Sequence, residues 1–388
     1  MRWFWFPLVL SLTLPVEAGD VLPVRLGLVV AAAGDAGPAA QSMRRAAEMA
    51  VNDWSAKLAR PIRLHVKEDA FDPRQAAAVA EQLVRERVWG VVGHFYSSSS
   101  LAASFVYRAA GTPQITPTAT HPRVTAQGFA NVFRVVGRDD RQGSIAAEFV
   151  ASHLKARSVA VVHDRTEYGR GLVETFRGEL TRRGAPRVVA EESLAQGDRD
   201  FAAQVARLRA ARPDALYFGG VFREAGYLIR QCREAGVRAV FVGGDAVLDT
   251  EFVRLAGEET AVGTYLTFAP DPRLVESARP VIRQYELQYG NLGPHVLETY
   301  DAVGVLLQAI HAAGPADGSR EELGNIVRAI RARPYQGALG TLRWDHNGDR
   351  TPVPYAVYVT RRGGSVQGWF EQLPGAAPGG AMAKPPTR

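Results

Sequence analysis

Val88-Trp89-Gly90-Val91-Val92-Gly93-His94-Phe95-Tyr96-Ser97-Ser98-Ser99-Ser100 is the stretch whose reading decides the fold. A short apolar run ends at Gly93, a few residues intervene, and a helix-like segment over 98–109 follows. This is how a strand, a loop and a helix N-terminus look in sequence. A helix start leaves N–H groups unpaired and carries partial positive charge, and serine hydroxyls add donors, so a carboxylate or phosphate is a natural guest there. The same serines also suit a plain capping role.

Working outward, strands over 24–30, 62–66 and 88–92 alternate with helices over 42–58 and 73–87, Pro73 standing near the start of the second. Such alternation predicts a parallel sheet covered on both faces, with ligands outside the carboxyl ends of its strands. After a strand at 113–115, Thr116-Pro117-Thr118-Ala119-Thr120-His121-Pro122 reads as a loop with free hydroxyls. The pattern then restarts near 135–140. Helices over 141–153, 169–182, 201–210 and 225–235 are interleaved with strands over 159–162, 188–191, 215–218 and 239–242. Val161-Val162-His163-Asp164-Arg165-Thr166-Glu167-Tyr168-Gly169 is the counterpart of the opening stretch. Helices over 276–289, 297–313 and 320–332 come next, then a strand at 340–344, a tight turn at Asp345-His346-Asn347-Gly348-Asp349 and a strand at 355–360.

A chain of 388 residues, 46% apolar and 22% charged, exceeds the size at which one core stops growing, so two domains are expected and disorder is not. Arg2, the apolar run 3–14 and Val16-Glu17-Ala18 read as a secretory signal peptide, residues 1–18, cut after Ala18. The run is short for a membrane span, and no later segment reaches about 18 uninterrupted apolar residues. Cys232 has no partner for an internal disulfide and is expected buried on a helix. The net charge of +6 is scattered along helical segments, which argues against a nucleic-acid surface. The tail 373–388, rich in Pro, Gly and Ala, is expected to be disordered.

Gly243-Gly244-Asp245 follows the strand 239–242 and offers either a solvated loop carboxylate or a counter-ion for a ligand cation. Donors on one half and a carboxylate on the other suit the two poles of an α-amino acid. Ser97, His163 and Asp245 supply the residue types of a hydrolase triad, but no Gly-x-Ser-x-Gly elbow frames a serine. The histidines show no metal-binding spacing, and the 345–349 turn lacks the closing glutamate of a calcium loop, so no metal and no cofactor are expected.

Val92-Gly93-His94 with Ser97-Ser98-Ser99, Pro117-Thr118-Ala119-Thr120, His163-Asp164 with Tyr168-Gly169, Tyr217-Phe218-Gly219-Gly220 and Trp344-Asp345 with Gly348-Asp349 follow in an order that resembles one family. It is the periplasmic branched-chain amino acid (Leu/Ile/Val) binding proteins of ABC importers, type I solute-binding proteins. The resemblance spans residues 24 to about 367. It implies an α/β fold of two doubly wound parallel-sheet lobes joined by three crossovers, near 135–139, 266–271 and 344–350. Lobe one would comprise 22–136 with 270–345, and lobe two 137–269 with 346–372.

The resemblance further implies a non-enzymatic, monomeric periplasmic receptor that takes an α-amino acid, branched-chain or otherwise hydrophobic, and hands it to a membrane ABC permease. A sensor of the same fold for amides or urea is the alternative. By position, Ser97 and Thr120 would bind the ligand carboxylate, the Thr118 carbonyl and Asp245 its ammonium, and Tyr168 would close over it, with Ala119 in the same loop. Phe71 and Tyr96 stand where some members have a disulfide, which implies that their rings lie close together. Two departures reshape the expected pocket: Val221 stands where an aromatic residue is usual, and the loop 35–41 has no tyrosine or tryptophan.

Overall fold

The computed structural model describes residues 22–30, 37–314, 317–353 and 355–374. The expected signal peptide and most of the expected disordered tail lie outside the described residues.

Fifteen strands are formed by the described residues. In chain order they are β1 Val24–Val30, β2 Ile62–Glu68, β3 Gly90–Val92, β4 Gln114–Thr116, β5 Val132–Arg134, β6 Ser158–His163, β7 Arg187–Ser193, β8 Ala215–Gly219, β9 Val240–Gly243, β10 Tyr265–Phe268, β11 Tyr335–Gly337, β12 Gly340–Trp344, β13 Arg350–Thr351, β14 Ala356–Gly364 and β15 Gly368–Gln372. They assemble into a five-stranded sheet of order β2-β1-β3-β4-β5, a seven-stranded sheet of order β15-β14-β10-β9-β8-β6-β7 and a small sheet β11-β12-β13. Every pair in the first sheet is parallel. In the second, β6 to β10 are parallel, while β14 and β15 close one edge antiparallel. Parallel strands need crossover helices, and the sheets are covered accordingly.

Each sheet has its own core. Leu26, Leu28 and Val30 of β1 pack with Met43 and Ala47 of helix Gly37–Leu58 and with Leu306 and Ile310 of helix Val296–Ala313. That last helix is apolar nearly all round and correspondingly buried, as a helix enclosed on all sides must be. Its buried Asp301 accepts the Ala338 and Leu339 N–H groups at 2.8 and 2.7 Å, so that carboxylate is not left orphaned. On the larger sheet, Phe218, Phe241 and Leu266 point to one face, and Val159, Val161 and Tyr217 point to the other. Cys232 is buried in helix Phe222–Glu234, where burial pushes its thiol up to about 12.

The chain passes between the two sheets after β5, after β10 and between β13 and β14. Arg134 and Arg138 both grip Asp349, at 2.7 and 2.6 Å, and Thr125 donates to the same carboxylate at 2.6 Å. Arg350 answers in the other direction, donating to the carbonyls of Val135 and Leu339 at 3.0 Å each. Asp345 Oδ1 accepts the N–H groups of Asn347 and Asp349 at 2.9 Å, so 345–349 is the tight turn its sequence suggests. Two connections are thereby fastened together at the floor of the cleft between the sheets.

The structure also forms elements the sequence does not announce, among them strands Tyr335–Gly337 and Gly368–Gln372 and helix Thr250–Ala256. Val132–Arg134 is a strand although only three residues long, too short for any alternation to show. Leu266, expected to begin a connection, lies within β10, which runs to Phe268 before the chain crosses.

Candidate functional site

The opening stretch folds as strand β3, a loop and helix Ser97–Ala110, and its loop is held from several sides. His94 is fully buried, with Nδ1 2.8 Å from Asp69 Oδ2 and Nε2 3.1 Å from Tyr107 Oη. Gly93, at φ +147, lies so close to β1 that a Cβ there would come 3.0 Å from the Val29 carbonyl oxygen. The helix N-cap is Tyr96, and it has no side-chain cap bond. The serines therefore do not cap. Ser100 Oγ instead bonds back to the His94 N–H and carbonyl at 3.2 and 3.0 Å. Ser97, the first helical residue, accepts the His121 N–H at 3.3 Å and opens into the cleft with the first unpaired amides of the helix behind it.

Beyond β4, Thr116 Oγ1 donates to the His94 carbonyl at 3.1 Å and accepts the Ala119 N–H at 2.9 Å, which fixes the next loop against the first. Thr118 Oγ1 donates to the Phe95 carbonyl at 2.6 Å. The Thr120 carbonyl accepts the Asp139 N–H at 3.0 Å and so touches the first connection.

The other sheet meets this cradle with charge. Tyr168, in the first turn of helix Glu167–Arg183, donates to Asp245 Oδ1 at 2.7 Å. Asp245 begins a short turn after β9, the same strand-end position that the serines occupy in the first sheet. Burial raises the carboxyl pKa of Asp245 above the usual range, and the nearby Asp139 is raised further by burial and by the charge on Asp245. Two enclosed carboxyls that repel one another favour keeping one of the pair protonated, and the stronger upward shift falls on Asp139.

Ser97, Thr118, Thr120, Tyr168 and Asp245 line one cavity of about 70 Å³ between the sheets. Ala119 does not line it. Its N–H is taken by Thr116, its carbonyl by Arg134 at 2.9 Å, and its methyl packs with Leu101, Val124 and Val132. The rest of the wall is mostly apolar, with Ala39, Phe95, Val221, Phe222, Leu248 and Pro294, and it also carries Tyr96, His295 and a second carboxylate, Asp249, which caps the next helix by accepting the Glu251 N–H at 2.8 Å. Where Val221 lacks a ring, the adjoining Phe222 supplies one. Phe71 and Tyr96 stack edge to face with centroids 4.6 Å apart, so that implied neighbourhood is borne out. His163 does not line the cavity; its Nδ1 accepts the Arg165 N–H at 3.1 Å, so no triad with Ser97 and Asp245 is assembled.

A family model described as periplasmic binding protein matches residues 23–365. The chain belongs to the periplasmic binding protein family. An amino acid binding protein of Pseudomonas aeruginosa is 38% identical over 317 residues, covering 81% of this chain and 82% of its own. A Leu/Ile/Val-binding protein homolog of Brucella abortus is 35% identical and covers 83% and 85%. Among solved structures, a leucine-binding protein of Thermotoga maritima superposes with a TM-score of 0.82 at 27% identity, covering 93% of this chain and 99% of its own. The fold is thus that of the type I periplasmic binding proteins, and these relatives are named as binding proteins for amino acids.

His295, Phe222 and Asp139 escaped the sequence reading. A lone histidine ahead of a helix and an aspartate at a helix start have ordinary structural uses, and only the closing of the cleft brings them to the site.

Proposed function

We propose that this chain is the periplasmic substrate-binding component of an ABC importer and that it captures an α-amino acid with a small or branched side chain. Exported after removal of residues 1–18, it works as a monomer and delivers its ligand to a membrane permease. Residues 22–136 with 270–345 act as one lobe and 137–269 with 346–372 as the other, closing over the ligand. The carrying observation is the split of the cavity wall: hydroxyls and helix amides come from one sheet's strand ends, and a carboxylate comes from the other's.

In this reading Ser97 and the amides of its helix start bind the ligand carboxylate, Thr120 assists, the Thr118 carbonyl and Asp245 take the ammonium, and Tyr168 orients Asp245. Charge-assisted hydrogen bonds of about 1.5–3 kcal/mol each, a few in number, reach the roughly 8 kcal/mol of a micromolar complex. Calorimetry against the twenty amino acids is the test. Micromolar binding of at least one supports the reading, and no binding below millimolar refutes it.

A further inference from the structure

Three cavities meet at one side chain, His295. It lines the ligand cavity, a narrow chamber of about 30 Å³ toward the connections, and an apolar cavity of about 120 Å³. The residue stands at φ +57 just ahead of helix Val296–Ala313, which swings its ring into the gap between the sheets. Phe95 meets that ring edge-on with centroids 5.5 Å apart, and Phe268 meets it at 6.3 Å, so it is clamped between the ends of β3 and β10.

Burial pushes the imidazole down to about 4, so it is neutral at neutral pH. A neutral ring has one N–H. Nδ1 is enclosed without any partner, and an orphaned N–H is costlier than an orphaned lone pair. The proton therefore belongs on Nε2, which bonds to no described residue and is the edge left facing the cavities. Tyr355 Oη and Arg350 Nε, whose residues line the narrow chamber with His295, are also without partners. Buried polar atoms are rarely left unpaired, so these two beside Nε2, in a chamber that Thr118, Thr120, Asp245 and Glu298 also line, mark a place for a polar ligand atom.

We propose that His295 is a specificity residue whose Nε2–H meets an oxygen on the ligand's side chain, selecting a short hydroxyl-bearing amino acid such as threonine over its hydrocarbon isostere valine. This rests on the amino-acid reading above. A site that pairs a hydroxyl discriminates against the analogue lacking it, because the protein's own polar group is then stranded.

The test is calorimetry of threonine and valine on the wild type, His295→Phe and His295→Gly. The second variant suits the left-handed backbone at this position and keeps the test alive if the first does not fold. The wild type is expected to bind threonine about tenfold tighter than valine, and that ratio is expected to fall about tenfold in both variants. Strain from either substitution weakens both ligands alike and leaves the ratio untouched. Valine binding as tightly as threonine in the wild type, or an unchanged ratio in a folded variant, overturns the inference. So does binding of leucine with neither threonine nor valine; absence of binding for all twenty amino acids instead sinks the amino-acid reading itself.

Discussion

The two strand-end surfaces that face each other across the cleft are built on opposite principles. Around β3 and β4 the groups are neutral and already committed to one another: Thr118 to Phe95, Thr116 to His94, Ser97 to His121. Around β6 and β9 the groups are Asp245, bonded to Tyr168, with Asp139 from the first connection enclosed nearby. A cradle of cross-bonded dipoles is rigid and costs little to keep empty. An enclosed carboxylate is costly until a cation arrives. One surface supplies shape, and the other supplies the energy of closing.

Asp245→Ala is the strongest way to break that contrast, since it removes the charge the ligand ammonium needs. Titration calorimetry should show affinity lost by about a hundredfold, about 2.7 kcal/mol. Ser97→Ala removes one of several donors to the carboxylate and should cost about tenfold, about 1.4 kcal/mol. Equal losses in the two variants would erase the asymmetry, and unchanged affinity in both would remove the site.

Gly171→Ala tests the closing itself. A Cβ at Gly171 would come 2.5 Å from the His121 ring of the facing surface. Affinity should fall by about fivefold, roughly 1 kcal/mol of overpacking felt in the closed form. Scattering should show a less compact liganded state.

The pH dependence sharpens the electrostatic half. Burial holds Asp245 above the usual carboxylate range, and only its ionised form pairs with an ammonium, so affinity should rise with pH through the free-form pKa and level off above it. Binding should release protons in that window, as calorimetry in buffers of different ionisation enthalpy reads, and Asp245→Asn should flatten the profile. Arg123→Ala should matter least. Its 3.1 Å pair with Glu167 spans the cleft at the exposed rim, where such pairs contribute about 0.2–1 kcal/mol.

Much of this was legible before any coordinates. The strand expected at 24–30 is Val24–Val30 and the helix expected at 320–332 is Arg320–Ala332, because buried parallel strands and amphipathic helices write long, periodic signals. The three-residue strand Val132–Arg134 writes none, whereas Gly90–Val92 is announced by the longer apolar run that leads into it. At the site, Ser97 and Asp245 stood out through their places after strands, and both line the cavity. The serine run misled in one respect. A capping role fits its composition, yet the hydroxyl of Ser100 turns back to the His94 loop, a tertiary contact that spacing does not encode. Ala119 was drawn in by its neighbours, and Arg134, which takes its carbonyl, arrives from β5. His295 reaches the site from residues far along the chain, and chain order held no hint of that.

The central claim is that the two surfaces grip opposite poles of one ligand. Titrating the best-bound amino acid and its analogue lacking the amino group into the wild type and Asp245→Ala tests it most directly. Asp245→Ala is expected to cost about a hundredfold for the amino acid and next to nothing for the analogue. An equal loss for both ligands would contradict the claim and place Asp245 away from the ammonium.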